Sequence, residues 1–124
     1  MSNGIPVPAF YGTSSQSVNA GSTATLTGMT VTSPMIAFNP GTGTITAPFP
    51  CVVVVRVGVV LPIAGAATLL VGTLSDTVAS GIKLITMATM TTVVSLAMGE
   101  RVTLQVKAES GTITVKYLSI DLRV

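Results

Sequence analysis

The run Cys51-Val-Val-Val-Val-Arg-Val-Gly-Val-Val-Leu61 constrains this chain more than any other segment. Branching at Cβ crowds the preceding turn of a helix but fits the pleat of a strand. The run is almost continuously apolar, so it predicts a central strand buried on both faces, ended by Pro62. Arg101-Val-Thr-Leu-Gln-Val-Lys-Ala108 gives the complementary signal. There polar and apolar residues alternate without error, so Val102, Leu104, Val106 and Ala108 face inward.

The rest of the chain reads as β in the same way. Thr23, Thr25 and Thr27 alternate with Ala24 and Leu26, and Met29–Thr32 is read as continuing that strand beyond Gly28. Asn39-Pro-Gly-Thr-Gly43 is a turn, Thr44–Ala47 a short strand, and Pro48-Phe49-Pro50 a break. Residues 66–74 form a strand. Residues 82–96 are long enough for a helix, but Ile85, Thr86, Thr89, Thr91, Thr92, Val93 and Val94 oppose one. Two strands with a turn near Thr89 or Met90 are expected there. In the last segment, Ile113, Val115 and Tyr117 share one parity and Leu118, Ile120, Leu122 and Val124 the other. That change predicts a bulge, or burial on both faces, near Tyr117. Eight to ten short strands with Gly/Pro turns make an all-β antiparallel sandwich or barrel. Residues 1–9 (MSNGIPVPA) are expected as an extended arm, because Pro6 and Pro8 prevent a helix, and residues 10–124 as one domain.

Charge is scarce. The first 55 residues carry none, and the whole chain of 124 has six basic and four acidic residues. Thr, Ser, Gly and small apolar residues stand where a free-standing small domain puts Lys and Glu. The reading is that other protein covers much of the surface. Arg56, Lys83, Arg101, Lys107, Lys116 and Arg123 are scattered, so no basic patch points to nucleic acid. The uncharged stretch between Arg56 and Asp76 has the length of a span, but Gly58, Pro62, Gly65 and Gly72 interrupt it, and no membrane partner is expected. The first residues lack the features of a secretory signal.

Two segments carry a resemblance. Phe38–Val54 (FNPGTGTITAPFPCVVV) resembles the turn–strand–turn–strand core of the complement globular-head and tumour-necrosis-factor-like jelly rolls, with Cys51 in place of the usual Gly. Leu96–Val106 (LAMGERVTLQV) is similar to the family's Leu-x-x-Gly-Asp-x-Val-x-Leu-x-Val strand, and Tyr117–Leu122 looks like its closing strand. The resemblance implies an antiparallel ten-strand jelly roll, a tight threefold homotrimer, and termini near the same end. With no collagen stem and so little charge, the chain is most similar to the jelly-roll modules of bacteriophage virions. That points to a capsid decoration or cement protein, assembled in the host cytoplasm and docking on a major capsid or tail protein. Decoration is favoured over a fibre tip because no stalk is expected before the domain.

The chain has no His, which removes Ser-His-Asp and Cys-His catalysis and His-ligated metals. Asp76, Glu100, Glu109 and Asp121 read as turn residues or ion pairs. One carboxylate per loop is thin for calcium, so Asp76 with turn carbonyls stands only as an alternative, and no enzyme activity, cofactor or metal is expected. Cys51 reads as a small core hydrophobe, and the methionines as fillers of a core or interface. Ile5, Pro6, Val7, Pro8, Phe10 and Tyr11 are the anchor candidates. Phe38, Phe49, Val102, Leu104, Tyr117, Leu118, Ile120 and Leu122 are the core or trimer-interface candidates. The alternative is a host-recognition or glycan-binding module using loops at Thr13–Asn19, Leu74–Gly81 and Ala108–Thr112.

Overall fold

The computed structural model describes residues 6–33 and 38–123; Ile5 and Val124, named above, and the methionine at position 35 lie outside them. Eleven strands are present among the described residues: β1 (Pro6–Val18), β2 (Thr23–Thr25), β3 (Thr30–Ser33), β4 (Phe38–Asn39), β5 (Thr44–Thr46), β6 (Cys51–Leu61), β7 (Ala66–Val71), β8 (Leu74–Ala79), β9 (Ile85–Leu96), β10 (Arg101–Ser110) and β11 (Ile113–Arg123). They form two antiparallel sheets. One runs β3-β1-β11-β6-β9, the other β4-β5-β10-β7-β8, with β2 also paired to β10. Their inner faces enclose one core, which includes Leu26, Ile45, Leu69, Leu104, Leu118 and Ile120.

Strand β6 has the expected bounds and lies between β11 and β9. Cys51, Val53, Val55, Val57, Val59 and Leu61 point into the core. On its other face Val54 and Gly58 are buried, while Val52, Arg56 and Val60 are half-exposed. The buried Cys51 thiol is pushed above its usual range by desolvation. A disulfide-exchange reagent should therefore label it only after denaturation, and rapid labelling of the native chain would contradict this packing.

The parity change in the last strand is a bulge. Against β6 the ladder slips between Val115 and Tyr117, and against β1 it slips between Thr13 and Gln16. Ile113 and Val115 point inward before the slip, and Leu118, Ile120 and Leu122 after it. Both adjoining strands are thus adjusted at one level of the sheet.

Four expectations need correction. Residues 66–74 are not one strand: the chain turns back at Gly72 (φ 60°), so Ala66–Val71 is β7 and Leu74 begins β8, its hairpin partner. Met29–Thr32 does not continue the β2 strand. The chain turns at Gly28 (φ 69°), a left-handed conformation suited to glycine. The Gly28 N–H donates to Pro40 C=O at 3.1 Å, and β3 joins the opposite sheet. There is no turn at Thr89 or Met90: β9 runs unbroken along β6, with Thr89 opposite Gly58 and Met90 opposite Val57. Ala88, Met90, Thr92, Val94 and Leu96 alternate inward, and the inward Thr92 hides that period in the sequence. Strand β9 also starts only at Ile85, leaving Ile82–Leu84 in a loop.

Candidate functional site

The two outer faces of the sandwich differ sharply. On the six-stranded sheet β10 shows solvent Arg101, Thr103, Gln105, Lys107 and Glu109. Lys107 Nζ lies 3.4 Å from Glu109 Oε1. The Thr68 hydroxyl, 2.8 Å from Glu109 Oε2, and Lys107 hold that carboxyl below the usual range. This is an ordinary water-facing surface.

The outer face of the five-stranded sheet carries Val52, Val54, Val60, Met87, Val93, Tyr11 and Tyr117, among Thr and Ser hydroxyls. Its central charges cancel: Arg56 Nη1 donates to Asp121 Oδ2 at 3.1 Å. Val93 is 54% exposed, Met87 47% and Tyr11 39%. Gly58 leaves a gap across which the Tyr117 ring lies. A Cβ on Gly58 would overlap ring atoms Cε2 and Cδ2 and approach Met87 Sδ to 2.6 Å. The ring thus spans β6, and its hydroxyl is hydrogen-bonded to Thr89 Oγ1 on β9 at 2.9 Å. On its other side it stacks with Tyr11, the centroids 6.1 Å apart and the planes at 24°.

The double slip of the ladder opens a cleft beside this tyrosine pair. Its volume is about 570 Å³. Ser14, Ser15 and Lys116, the residues between the slipped pairs, line it with Tyr11, Thr13, Gly28, Thr30, Met87 and Tyr117. A bulge re-aims side chains locally, and here it puts hydroxyls and one ammonium next to two aromatic faces.

The anchor and interface candidates separate by parity. Phe10 is not an exposed anchor: it is 3% exposed, and its ring packs against Phe38 at 4.6 Å. Tyr11, the next residue, faces out. Pro6, Val7 and Pro8 pair with Arg123, Leu122 and Asp121, so β1 begins within residues 1–9. The two ends of the described chain therefore lie side by side. Phe38, Leu104, Leu118, Ile120 and Leu122 are core, while Phe49 and Val102 pack against its margin. Of the interface candidates only Tyr117 reaches the outer face. The expected Thr13–Asn19 and Leu74–Gly81 loops are largely strand, in β1 and β8, and Ala108–Ser110 belongs to β10. Thr13, Ser14 and Ser15 nonetheless line the cleft. Asp76 Oδ2 accepts the Thr91 N–H at 2.8 Å and so covers part of the free edge of β9. Among the described residues no three His, Cys, Asp or Glu side chains cluster for a metal ion.

No family model matches the chain, and no curated protein matches it. Solved structures do. The globular domain of a zebrafish complement 1qA protein aligns with a TM-score of 0.64 at 16% identity, covering 95% of this chain and 96% of that one. The fold is an all-β jelly roll, similar to that of this domain. Eiger TNF from S. frugiperda aligns with a TM-score of 0.52 at 12% identity, covering 95% and 94%. A carbohydrate-binding module of Cellvibrio mixtus lichenase 5A, in complex with cellotriose, aligns at 0.48 and 16%, covering 89% and 86%. The C1q and TNF likeness carries the jelly roll; at these identities it carries the fold alone.

Proposed function

We propose that this jelly roll is a non-catalytic building block that assembles with its own copies through the outer face of the five-stranded sheet. The carrying observation is the contrast between the two outer faces. One is dressed for water. The other presents apolar side chains, a stacked tyrosine pair and an internally cancelled ion pair, as surfaces between subunits do. A closed ring of copies buries this face in every subunit. The resemblance to C1q and TNF jelly rolls, in which such domains form threefold homotrimers, supplies the number three. The role that fits is a virion structural protein, decorating or cementing a phage capsid or tail, with the protein made in the host cytoplasm. Ile5 and the residues before it are its anchor. Pro6–Pro8 are held in the sheet, so an anchor deletion should stop at residue 5.

Sedimentation equilibrium of the purified chain tests the assembly. The expected species has three times the 12.5 kDa chain mass. Val93→Asp, at an exposed position, should give a folded monomer. A wild-type monomer at high concentration would reject the reading. Removing residues 1–5 should keep the trimer but abolish co-sedimentation with the virus particles.

A second reading rests on the cleft. Tyrosine faces flanked by hydroxyls and an ammonium suit a glycan, with ring stacking and hydroxyl hydrogen bonds sharing recognition. The readings compete for Tyr117. A stable trimer inert on a glycan array favours assembly; a monomer that binds sugar and loses binding in Tyr11→Ala favours the glycan.

A further inference from the structure

At the end of the sandwich opposite Pro6 and Arg123, two short loops meet. They are the β6–β7 connection, Pro62–Gly65, and the β8–β9 connection, Ser80–Leu84. Their tip carries three of the four most exposed large apolar side chains of the described residues: Ile82 is 89% exposed, Ile63 66% and Leu84 59%. Met98, at 70%, stands alone at the other end. Lys83 lies between Ile82 and Leu84, and neither loop has a carboxylate.

The exposure is built in. The Ser80 hydroxyl donates to Pro62 C=O at 2.5 Å and accepts the Gly65 N–H at 2.8 Å. The Ala64 N–H donates to Gly81 C=O at 2.6 Å, and the Ser80 N–H to Gly65 C=O at 2.9 Å. Ser110 Oγ, at the end of β10, donates to Ala64 C=O at 2.7 Å. The loops are tied to each other and to that strand end, so the apolar side chains do not fold back onto the core. The same strand end brings Glu109 nearby, but Thr68 and Lys107 already engage its carboxylate.

We propose that this tip is an interfacial docking site for a lipid bilayer bearing anionic headgroups. Size decides against a protein partner: a specific protein interface takes on the order of 20–30 residues a side, and the tip offers only its two short loops. A bilayer needs no such area, because each apolar side chain gains by insertion on its own. Lys83 supplies charge complementarity to the headgroups, its stem lying along the apolar boundary with the ammonium in water. This is contact by loops, not a span, and it is independent of the assembly reading.

Vesicle flotation with the full chain tests it. The wild type should float with vesicles of phosphatidylcholine mixed with phosphatidylserine, and less with phosphatidylcholine alone. The double variant Ile82→Ser/Leu84→Ser should lose binding by roughly ten- to hundredfold, while Met98→Ser at the opposite end binds as the wild type does. Lys83→Glu should abolish the preference for the anionic vesicles. The chain has no Trp, so Ile82→Trp reports on the tip alone, and its emission should shift to the blue with the mixed vesicles. Wild-type protein that floats with neither vesicle, a double variant that floats like the wild type, or an unshifted Trp emission would overturn the proposal.

Discussion

Deleting Ser119 should leave no folded protein, whereas deleting Lys116, three positions earlier, should leave the fold standing. Side chains alternate along a strand, so losing one residue moves everything beyond it to the opposite face. Without Ser119, either Ile120 and Leu122 turn outward or the preceding half of β11 does. Both residues are core, on a strand paired on both sides. Each forfeits about 1.5–3 kcal/mol of burial. Asp121 and Arg123 would be driven inward, and an unpaired buried charge is costlier still. Against a total stability of about 5–15 kcal/mol, that sum is decisive. Lys116 is different because it is the extra residue at the slip. Without it Val115 is followed by Tyr117 and Leu118, and every inward side chain keeps its face. The irregularity against β1 at Ser14–Ser15 remains, so some stability is lost. Circular dichroism melts of the two deletions decide the matter. A cooperative transition in the Ser119 deletion, or none in the Lys116 deletion, would refute this account of the bulge.

The bulge was legible because it leaves a mark in one dimension: two apolar sets of opposite parity cannot share a regular strand. The length of β6 and the inward face of β10 were legible for the same reason, since burial alone sets their patterns. What stayed hidden depends on partners remote in sequence. Gly28 between two Thr-rich segments reads equally as a continuing strand or a crossing between sheets, and only the Pro40 carbonyl and β1 decide. Thr92 faces the core as one member of an apolar series, which disguised one long strand as two. The anchor candidates combined neighbours in sequence, Phe10 and Tyr11, which a strand must send to opposite faces. The cleft arises where two strands slip together, and neither Ser14-Ser15 nor Lys116 announces the other.

Replacing Gly58 with Val should convert the assembly to monomers while leaving the stability of the single subunit nearly unchanged, so that the variant melts close to the Val93→Asp monomer. A glycine inside a strand is locally unfavourable, and Val at a paired position recovers about 1 kcal/mol of strand preference. Opposing that gain, the new side chain must expel the Tyr117 ring and Met87 Sδ from the gap. The stack with Tyr11 goes, at about 0.5–1.5 kcal/mol, and so does the hydrogen bond to Thr89, at about 0.5–1.5 kcal/mol. These partly solvated contacts set against the strand preference give a small net change in the subunit. The outer face fares otherwise. With Tyr117 lying across Gly58, the sheet between Tyr11 and Thr89 is one low surface; with the ring expelled it becomes a ridge that holds matching copies apart. Packed interfaces tolerate such a change poorly. Tyr117→Ala, which leaves Gly58 bare, removes the ring without raising a ridge and should weaken assembly less. Sedimentation equilibrium of both variants beside the wild type reads the outcome. A Gly58→Val chain that stays trimeric would place the contact on another face, while one that melts far below the Val93→Asp monomer would mean that Tyr117 supports the subunit more than its assembly.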